Sequence, residues 1–130
     1  MHHRIFITGG AGFIGSNFIR YIRRSHRDAS ILNFDKLTYA GNLKNLEDVP
    51  AGGDYTFVKG DICDKDAVFQ EFQRFAPDIV VNFAAESHVD RSIIDSSEFI
   101  RTNIFGVKIM LDAAMKYGAE KFIQISTDEV

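Results

Sequence analysis

The chain has 130 residues, enough for one domain, and it is 45% hydrophobic and 25% charged, which is an ordinary globular composition. A net charge of −3 disfavours a nucleic-acid-binding protein, whose surface would be basic, and no apolar run approaches the ~20 residues of a membrane span. The one cysteine, Cys63, cannot form an internal disulfide, which fits a reducing, cytoplasmic location. We expect Cys63 to be buried, and it has no neighbours in sequence that would complete a metal site.

A glycine-rich turn follows the first apolar run. Residues 5–7 (IFI) precede residues 8–15 (TGGAGFIG), which open an amphipathic helical pattern. Without side chains at Gly9 and Gly12, the backbone can turn tightly and approach a pyrophosphate, and Gly15 lets the helix pack closely on its strand. The amides of the helix N-terminus then face the anion. The pattern predicts a dinucleotide site, although glycine turns also occur for steric reasons alone.

A carboxylate ends the second apolar run. Asp35 follows residues 31–34 (ILNF), twenty positions after Gly15. A carboxylate there can accept hydrogen bonds from the adenosine ribose and would repel a 2′-phosphate, which favours NAD over NADP. The alternative is a strand-end cap. The spacing of Gly10 and Gly15 also suits a P-loop, but Ser16 stands where that motif requires lysine.

Strand-then-helix units repeat along the chain. Hydrophobic patterns predict strands at residues 4–8, 30–35, 55–59, 78–83 and 121–126. Helices are predicted at residues 13–25, at 64–75 with Asp64 as N-cap, and from about 96 to 117, ending at Gly118; a short helical turn is possible at 43–47. This alternation predicts an α/β fold: a Rossmann-type doubly wound parallel sheet with strand order 3-2-1-4-5.

Ligands of such sheets bind at the carboxyl ends of the strands. After the third strand, Asp61 can accept a hydrogen bond from the adenine amino group, with Ile62 against the ring; the alternative for Asp61 is a turn cap. After the fourth strand, Ala84 and Ala85 are small enough for the dinucleotide to lie on the backbone, although tight strand packing would also require small residues.

Two adjacent carboxylates and a hydroxyl follow the fifth strand: Thr127, Asp128 and Glu129. Carboxylates that share a site tend to split their pKa values, so that one is a protonated acid while the other is a base. An elimination of water uses such a pair, because one group donates to the leaving hydroxyl and the other removes a carbon-bound proton. The alternative is a solvated acidic turn.

Five segments carry a resemblance to a known family: TGGAGFIG (8–15), DKLTYAG (35–41), GDICD (60–64), AAESHVDRS (84–92) and ISTDEV (125–130). Together they resemble the dTDP-glucose 4,6-dehydratases of the extended short-chain dehydrogenase/reductase family. The resemblance implies NAD as cofactor, no metal, and conversion of dTDP-glucose to dTDP-4-keto-6-deoxyglucose. The sugar would be oxidised at C4, lose water across C5 and C6, and receive the hydride back at C6.

The resemblance also implies roles for individual residues. Asp128 would protonate the C6 hydroxyl, Glu129 would remove the C5 proton, and Thr127 would hydrogen-bond the sugar near C4. Ser87 would touch both cofactor and sugar. Beside Gly9, Gly12 and Gly15, the NAD site would be lined by Phe13, Ile14, Asp35, Lys36, Leu37, Thr38, Asp61, Ile62, Phe83, Ala84, Ala85, Glu86, Ser87 and Thr102.

The family also uses a tyrosine and a lysine in a YxxxK motif on one helical face. Two matches occur, Tyr55 with Lys59 and Tyr117 with Lys121, but the first lies on a predicted strand and the second spans Gly118. Both also precede residues 126–129, whereas the family's motif follows them. We therefore expect residues 1–130 to be the N-terminal, NAD-binding part of an enzyme, inactive alone and without its substrate-binding domain.

Two alternatives stay open: an NAD-binding module without catalysis, and an epimerase or other sugar-nucleotide dehydratase of the same superfamily. The resemblance further implies a homodimer that packs through the long helix. The apolar positions of that helix (Phe99, Ile104, Ile109, Met110 and Met115) could equally cover the sheet.

Overall fold

The computed structural model describes residues 2–37, 43–49, 54–83 and 101–125. Within these ranges the strands are β1 (Arg4–Thr8), β2 (Ser30–Asp35), β3 (Tyr55–Lys59), β4 (Ile79–Asn82) and β5 (Lys121–Gln124). The α-helices are α1 (Phe13–Ser25), α2 (Lys65–Phe75) and α3 (Val107–Lys116). A short 3₁₀ helix covers Leu43–Leu46, and a π-helical segment, Arg101–Gly106, leads directly into α3. No helix in these ranges has the length and apolarity that crossing a membrane requires.

The strands form one parallel sheet in the order β3-β2-β1-β4-β5, which confirms the predicted α/β fold. In the centre of the sheet, Ile5 pairs with Ile31 of β2 on one side and with Ile79 of β4 on the other. The chain runs outward from β1 to β3 and then returns to the other side of β1. The carboxyl ends of β1 and β4 therefore meet at the switch point where ligands of this fold bind.

Each face of the sheet has its own apolar layer, because successive strand side chains point in opposite directions. On one face, Ile5 and Ile7 pack against α1 through Ile19 and Ile22. On the other face, the layer joins the sheet to α2 and α3, and it includes Phe6, Leu32, Val80, Phe72 and Met110. All six residues of β2 are buried, because this strand is covered on both faces of the sheet.

Several predicted boundaries need correction. β4 ends at Asn82 and β5 at Gln124, so both strands are shorter than predicted. Of the predicted long helix, residues 96–100 lie outside the described residues, and the next turn is π-helical rather than α-helical. Cys63 is partly exposed rather than buried. The predicted cap is confirmed: α2 begins at Lys65, and the Asp64 carboxylate accepts from the amide of Ala67 at 3.2 Å.

Candidate functional site

The glycine turn joins β1 to α1 at the carboxyl edge of the sheet. Gly9 has φ +72°, a left-handed conformation in which side chains with a Cβ are strained. Its amide donates to the carbonyl of Phe34 on β2 at 3.2 Å, and its own carbonyl accepts from the amide of Gly12 at 3.2 Å. The turn is therefore tied to the neighbouring strand before the helix begins.

Gly15 is required by a close approach, but not the one that the sequence suggested. A Cβ on Gly15 would lie 2.4 Å from the carbonyl oxygen of Gly9 and 2.8 Å from the Cα of Gly10. The first turn of α1 therefore rests on the glycine turn itself rather than on the strand. Because these neighbours are backbone atoms, no side-chain rotation can relieve the overlap.

Asn33 supports the turn from inside the protein. Its side chain lies in β2 with no exposed surface, and its Oδ1 accepts from the amide of Gly10 at 3.1 Å. Its Nδ2 donates to the hydroxyl oxygen of Tyr55 at 3.2 Å. Burial raises the pKa of Tyr55 above its ordinary value of 10.0. Asn33 was not among the predicted site residues, although a polar residue inside the apolar run of β2 is a signal for it.

Asp35 holds the next peptide of the turn. One carboxylate oxygen accepts from the amide of Ala11 at 2.8 Å, and the other accepts from the amide of Leu37 at 2.7 Å. A carboxylate has about four lone-pair positions, so Asp35 keeps acceptor capacity after both bonds. Asp35 can therefore cap the end of β2 and still accept a hydrogen bond from a ribose, so the two interpretations of this residue are compatible. Leu37 itself has φ +60°, a conformation that is uncommon for leucine.

Asn45 completes this support from the 3₁₀ helix. Its Nδ2 donates to the carbonyl oxygen of Ala11 at 2.9 Å, so the residue that Asp35 holds by its amide is also held by its carbonyl. The same segment is linked to α1 by an ion pair between Arg20 and Asp48 at 2.9 Å. That contact lowers the pKa of Asp48. Sequence spacing gave no indication of the role of Asn45.

The N-terminus of α1 presents free backbone donors and apolar side chains. The first backbone bond of the helix is from the amide of Ser16 to the carbonyl of Gly12, at 2.9 Å. The amides of Phe13, Ile14 and Gly15 have no acceptor within the helix, as is usual for a first turn. The side chains of Phe13 and Ile14 are 78% and 62% exposed, beside these amides. An anion with apolar neighbouring groups fits this arrangement.

Asp61 and Lys36 form an ion pair beside Asp35. Lys36 Nζ lies 3.4 Å from one carboxylate oxygen of Asp61, and the other oxygen accepts from the amide of Cys63 at 2.9 Å. Asp61 is thus a turn cap with a charged partner. Ile62 is buried in the apolar layer of α2 and α3, where a Cβ on Gly106 would lie 2.5 Å from its side chain.

The remaining predicted residues are described only in part. Phe83 donates its amide to the carbonyl of Thr8 at 2.9 Å, and its ring lies 5.4 Å from that of Phe18. Thr102 lies in the π-helical segment, and its side chain is outside the described structure. Also outside the described residues are Thr38, Ala84, Ala85, Glu86, Ser87, Thr127, Asp128 and Glu129.

A polar ladder leads from β1 towards the segment that carries the acidic pair. The hydroxyl of Thr8 donates to Oδ1 of Asn82, and Nδ2 of Asn82 donates to Oε1 of Gln124 at 2.8 Å. Thr8 and Asn82 have no exposed surface, whereas Gln124 is exposed. The amide of Ile125 then donates to the carbonyl of Asn82 at 3.1 Å. These bonds fix the carboxyl end of β5 relative to β1.

Neither YxxxK match lies on one helix, as predicted. Tyr55 and Lys59 are the two ends of β3, and Tyr55 is buried whereas Lys59 is exposed. Tyr117 follows the last residue of α3, Lys121 begins β5, and Gly118 between them has φ +75°. Four residues along a strand span about 13 Å, so Lys59 is too far away to act on the Tyr55 hydroxyl directly.

Comparisons with known proteins agree with this geometry. A family model described as GDP-mannose 4,6 dehydratase matches residues 6–130. The chain is 48% identical to a dTDP-glucose 4,6-dehydratase of Salmonella typhimurium over 98% of this chain and 37% of that protein. It is 46% identical to the mouse dTDP-D-glucose 4,6-dehydratase, over 98% of this chain and 36% of that protein. The chain thus spans less than two fifths of the length of these relatives.

Solved structures agree as well. The dTDP-glucose 4,6-dehydratase DesIV of Streptomyces venezuelae, solved with NAD bound, superposes with a TM-score of 0.90 at 43% identity, over 98% of this chain and 40% of that one. A UDP-glucose 4-epimerase of Thermotoga maritima gives a TM-score of 0.85 at 31% identity, over 95% of this chain and 38% of that one. Because the family model matches nearly the whole sequence, this chain belongs to the family described as GDP-mannose 4,6 dehydratase.

Proposed function

We propose that this chain is the NAD-binding part of a dTDP-glucose 4,6-dehydratase. The observation that carries the proposal is the anchored turn at the switch point, where Asn33, Asp35 and Asn45 hold a glycine turn in front of the free amides of α1. The curated relatives at 46% and 48% identity support the choice of reaction. A separate domain would bind the nucleotide of the sugar.

The donors and acceptors of this site fit NAD. The amides of Phe13 and Ile14 would donate to the pyrophosphate, and the spare lone pairs of Asp35 would accept from the adenosine ribose. Asp61, which forms an ion pair with Lys36 at 3.4 Å, would accept from the adenine amino group. The other residues proposed to line the site are Gly9, Gly12, Gly15, Leu37, Thr38, Ile62, Phe83, Ala84, Ala85, Glu86, Ser87 and Thr102.

The chain's own residues would supply the proton transfers of the elimination. When bound, NAD would supply the hydride-transfer chemistry at C4 and C6 of the sugar. A keto group at C4 acidifies the proton on C5, which Glu129 would accept. Asp128 would donate its proton to the hydroxyl leaving C6, and Thr127 and Ser87 would orient the sugar. The Thr8–Asn82–Gln124 ladder supports this assignment, since it anchors the strand that precedes these residues.

The test is the reaction of the full-length protein with dTDP-glucose, followed by mass spectrometry. We expect a product that has lost one water, and the Asp128→Asn and Glu129→Gln variants should lose this activity while still binding NAD in calorimetry. Loss of water with normal rates in both variants would contradict the acid–base assignment. An isomeric product of unchanged mass would favour an epimerase, for which the UDP-glucose 4-epimerase similarity is the supporting observation. Binding of NAD without any product would favour a module without catalysis.

The proposal extends to a homodimer that packs through α3. Met110 is buried in the core, whereas Ile104, Phe105, Leu111 and Met115 are exposed, and Met115 is 82% exposed. The apolar positions of α3 and of the π-helical segment before it therefore divide between covering the sheet and facing outward, and Phe99 lies outside the described residues. In analytical ultracentrifugation the full-length protein should sediment as a dimer. Met115→Lys should shift it towards monomer, whereas Lys116→Met, which leaves the apolar side chains in place, should not.

A further inference from the structure

The site contains a cation beside the carboxylate that would contact the ribose. Lys36 follows Asp35 directly, and a basic residue near the end of the second strand is what accommodates a 2′-phosphate in NADP-binding proteins of this fold. Asp35 alone would favour NAD, but Lys36 offers the opposite preference at the next position. The preference between NAD and NADP therefore depends on whether the ammonium group of Lys36 can contact a 2′-phosphate.

The structure describes a partner for that charge. Lys36 Nζ lies 3.4 Å from Oδ2 of Asp61, and both side chains are partly exposed. The geometry of Asp61 is fixed independently of Lys36, because its Oδ1 accepts from the amide of Cys63 at 2.9 Å. Asp35 is likewise fixed by the amides of Ala11 and Leu37. The ammonium group of Lys36 therefore contacts one oriented carboxylate, that of Asp61, and follows a second, that of Asp35, in the sequence.

We propose that Asp61 is a determinant of cofactor choice, because it pairs with Lys36 and so keeps this lysine from binding a 2′-phosphate. The inference rests on the proposed NAD site. With Asp35, Lys36 and Asp61 all charged, the three groups sum to −1 and repel a phosphate. Without the charge of Asp61 the sum is zero, and the ammonium group of Lys36 loses its ion pair with Asp61.

The experiment compares the dissociation constants of NAD and NADP in the full-length protein by calorimetry at low ionic strength. Asp61→Asn keeps an oxygen that can accept from the amide of Cys63, so the turn is preserved. We expect it to raise the affinity for NADP relative to NAD by about fivefold, the scale of a partly exposed charge interaction. The gain should shrink at about 0.5 M salt, where such interactions are screened. A loss of contacts to the adenine ring would weaken NAD and NADP equally and would therefore not change the ratio of their affinities.

A double-mutant cycle identifies the cation. As a single substitution, Lys36→Met should change the ratio of the NADP affinity to the NAD affinity little. Combined with Asp61→Asn, it should abolish the rise in that ratio that Asp61→Asn causes alone. Lys59 is the matched control, since it pairs with Asp35 in the sheet register. Lys59→Met should leave the gain intact. Glu71→Gln, which removes the same charge from an ion pair on α2, should leave the ratio unchanged.

The outcomes separate the two proposals. If the unaltered protein binds neither dinucleotide, the NAD site itself is wrong and this inference falls with it. If NAD binds but Asp61→Asn leaves the ratio unchanged, only the role of Asp61 is overturned. If the gain survives Lys36→Met or is lost with Lys59→Met, the assignment to Lys36 is overturned.

Discussion

The carboxyl end of β2 is enclosed by protein, whereas the carboxyl end of β5 is open. All six residues of β2 are buried, and Asn33 and Asp35 at its end bind the glycine turn. No residue of β5 is buried; this strand pairs with β4 at the edge of the sheet, and the side-chain ladder through Gln124 adds a further connection. Among the described residues, then, the proposed phosphate-binding end is already organised by the β1–α1–β2 unit. The strand leading to the acidic pair depends far less on buried contacts.

The largest effect should come from Gly15→Ala. Its methyl group would overlap backbone atoms of Gly9 and Gly10, and such overpacking costs about 1–3 kcal/mol of unfolding free energy. Because the overlap moves the turn, we expect NAD affinity to fall at least about tenfold, since a fixed geometry is what makes binding strong. Urea denaturation and calorimetry measure the two effects.

Gly118→Ala is the matched control, since Gly118 precedes β5 at the amino edge of the sheet, away from the glycine turn. An added Cβ there meets no atom within 4 Å, but φ is +75°. We expect a cost of about 1 kcal/mol from the backbone alone and no change in NAD affinity. Equal losses of affinity in the two variants would contradict the special position of the glycine turn.

Asn33→Leu should have the next largest effect. It leaves the amide of Gly10 and the hydroxyl of Tyr55 without their partner in the protein interior, which costs about 1–3 kcal/mol of unfolding free energy. Gln124→Leu removes a hydrogen bond at the exposed end of the ladder and should cost less than about 1 kcal/mol. Urea denaturation of both variants compares the two regions directly, and a larger loss for Gln124→Leu would reverse the comparison.

A smaller effect is expected from Asn45→Ala. It removes the donor to the carbonyl of Ala11 without touching the sheet, and a hydrogen bond of this kind contributes about 1 kcal/mol. We expect NAD to bind about threefold to tenfold more weakly, as measured by calorimetry. The exposed neighbour Glu47 provides the control, because Glu47→Ala leaves that bond in place. Equal effects of the two substitutions would mean that the 3₁₀ helix does not organise the turn.

The smallest effect is a pH dependence from Tyr55. Burial raises its pKa in the folded state above the ordinary value of 10.0, so the folded protein holds this proton more tightly than the unfolded chain does. Its contribution to stability is therefore complete below pH 10 and is lost as the pH rises through the folded-state pKa. Urea denaturation between about pH 9 and 11 should show this fall. Tyr55→Phe should have a shallower slope, and an identical slope would contradict the assignment.

The two regions also differ in how well the sequence predicted them. The bounds of β1, α1, β2 and β3 were predicted correctly, because the apolar periodicity is clear and glycine or polar residues stand at the ends. The start of the long helix was not, since hydrophobic spacing does not distinguish an α-helical turn from the π-helical one at Arg101–Gly106. β5 was predicted to continue past Gln124, because the apolar residue Ile125 continues the alternating pattern although it lies beyond the last paired residue and is exposed.

Within the site, local motifs were predicted and long-range contacts were not. The glycine turn and Asp35 are recognisable because their spacing along the chain is fixed by the fold. The bond of Asn45 to Ala11 joins residues 34 positions apart, and the Lys36–Asp61 pair joins different strand ends. Such contacts depend on where a loop returns to the sheet, which periodicity does not encode.

The double attachment of Asp35 limits how cofactor preference can evolve in this lineage. A substitution that removed this carboxylate to admit a 2′-phosphate would also remove the acceptor for the amide of Ala11. The affinity for NADP would rise, but the glycine turn that both dinucleotides would contact would be held less firmly. A change at Asp61 would instead affect the turn at Cys63, whose amide donates to Asp61, and would leave the bond between Asp35 and Ala11 in place. Among related proteins, we therefore expect changes in cofactor preference to involve the position of Asp61 more often than the position of Asp35.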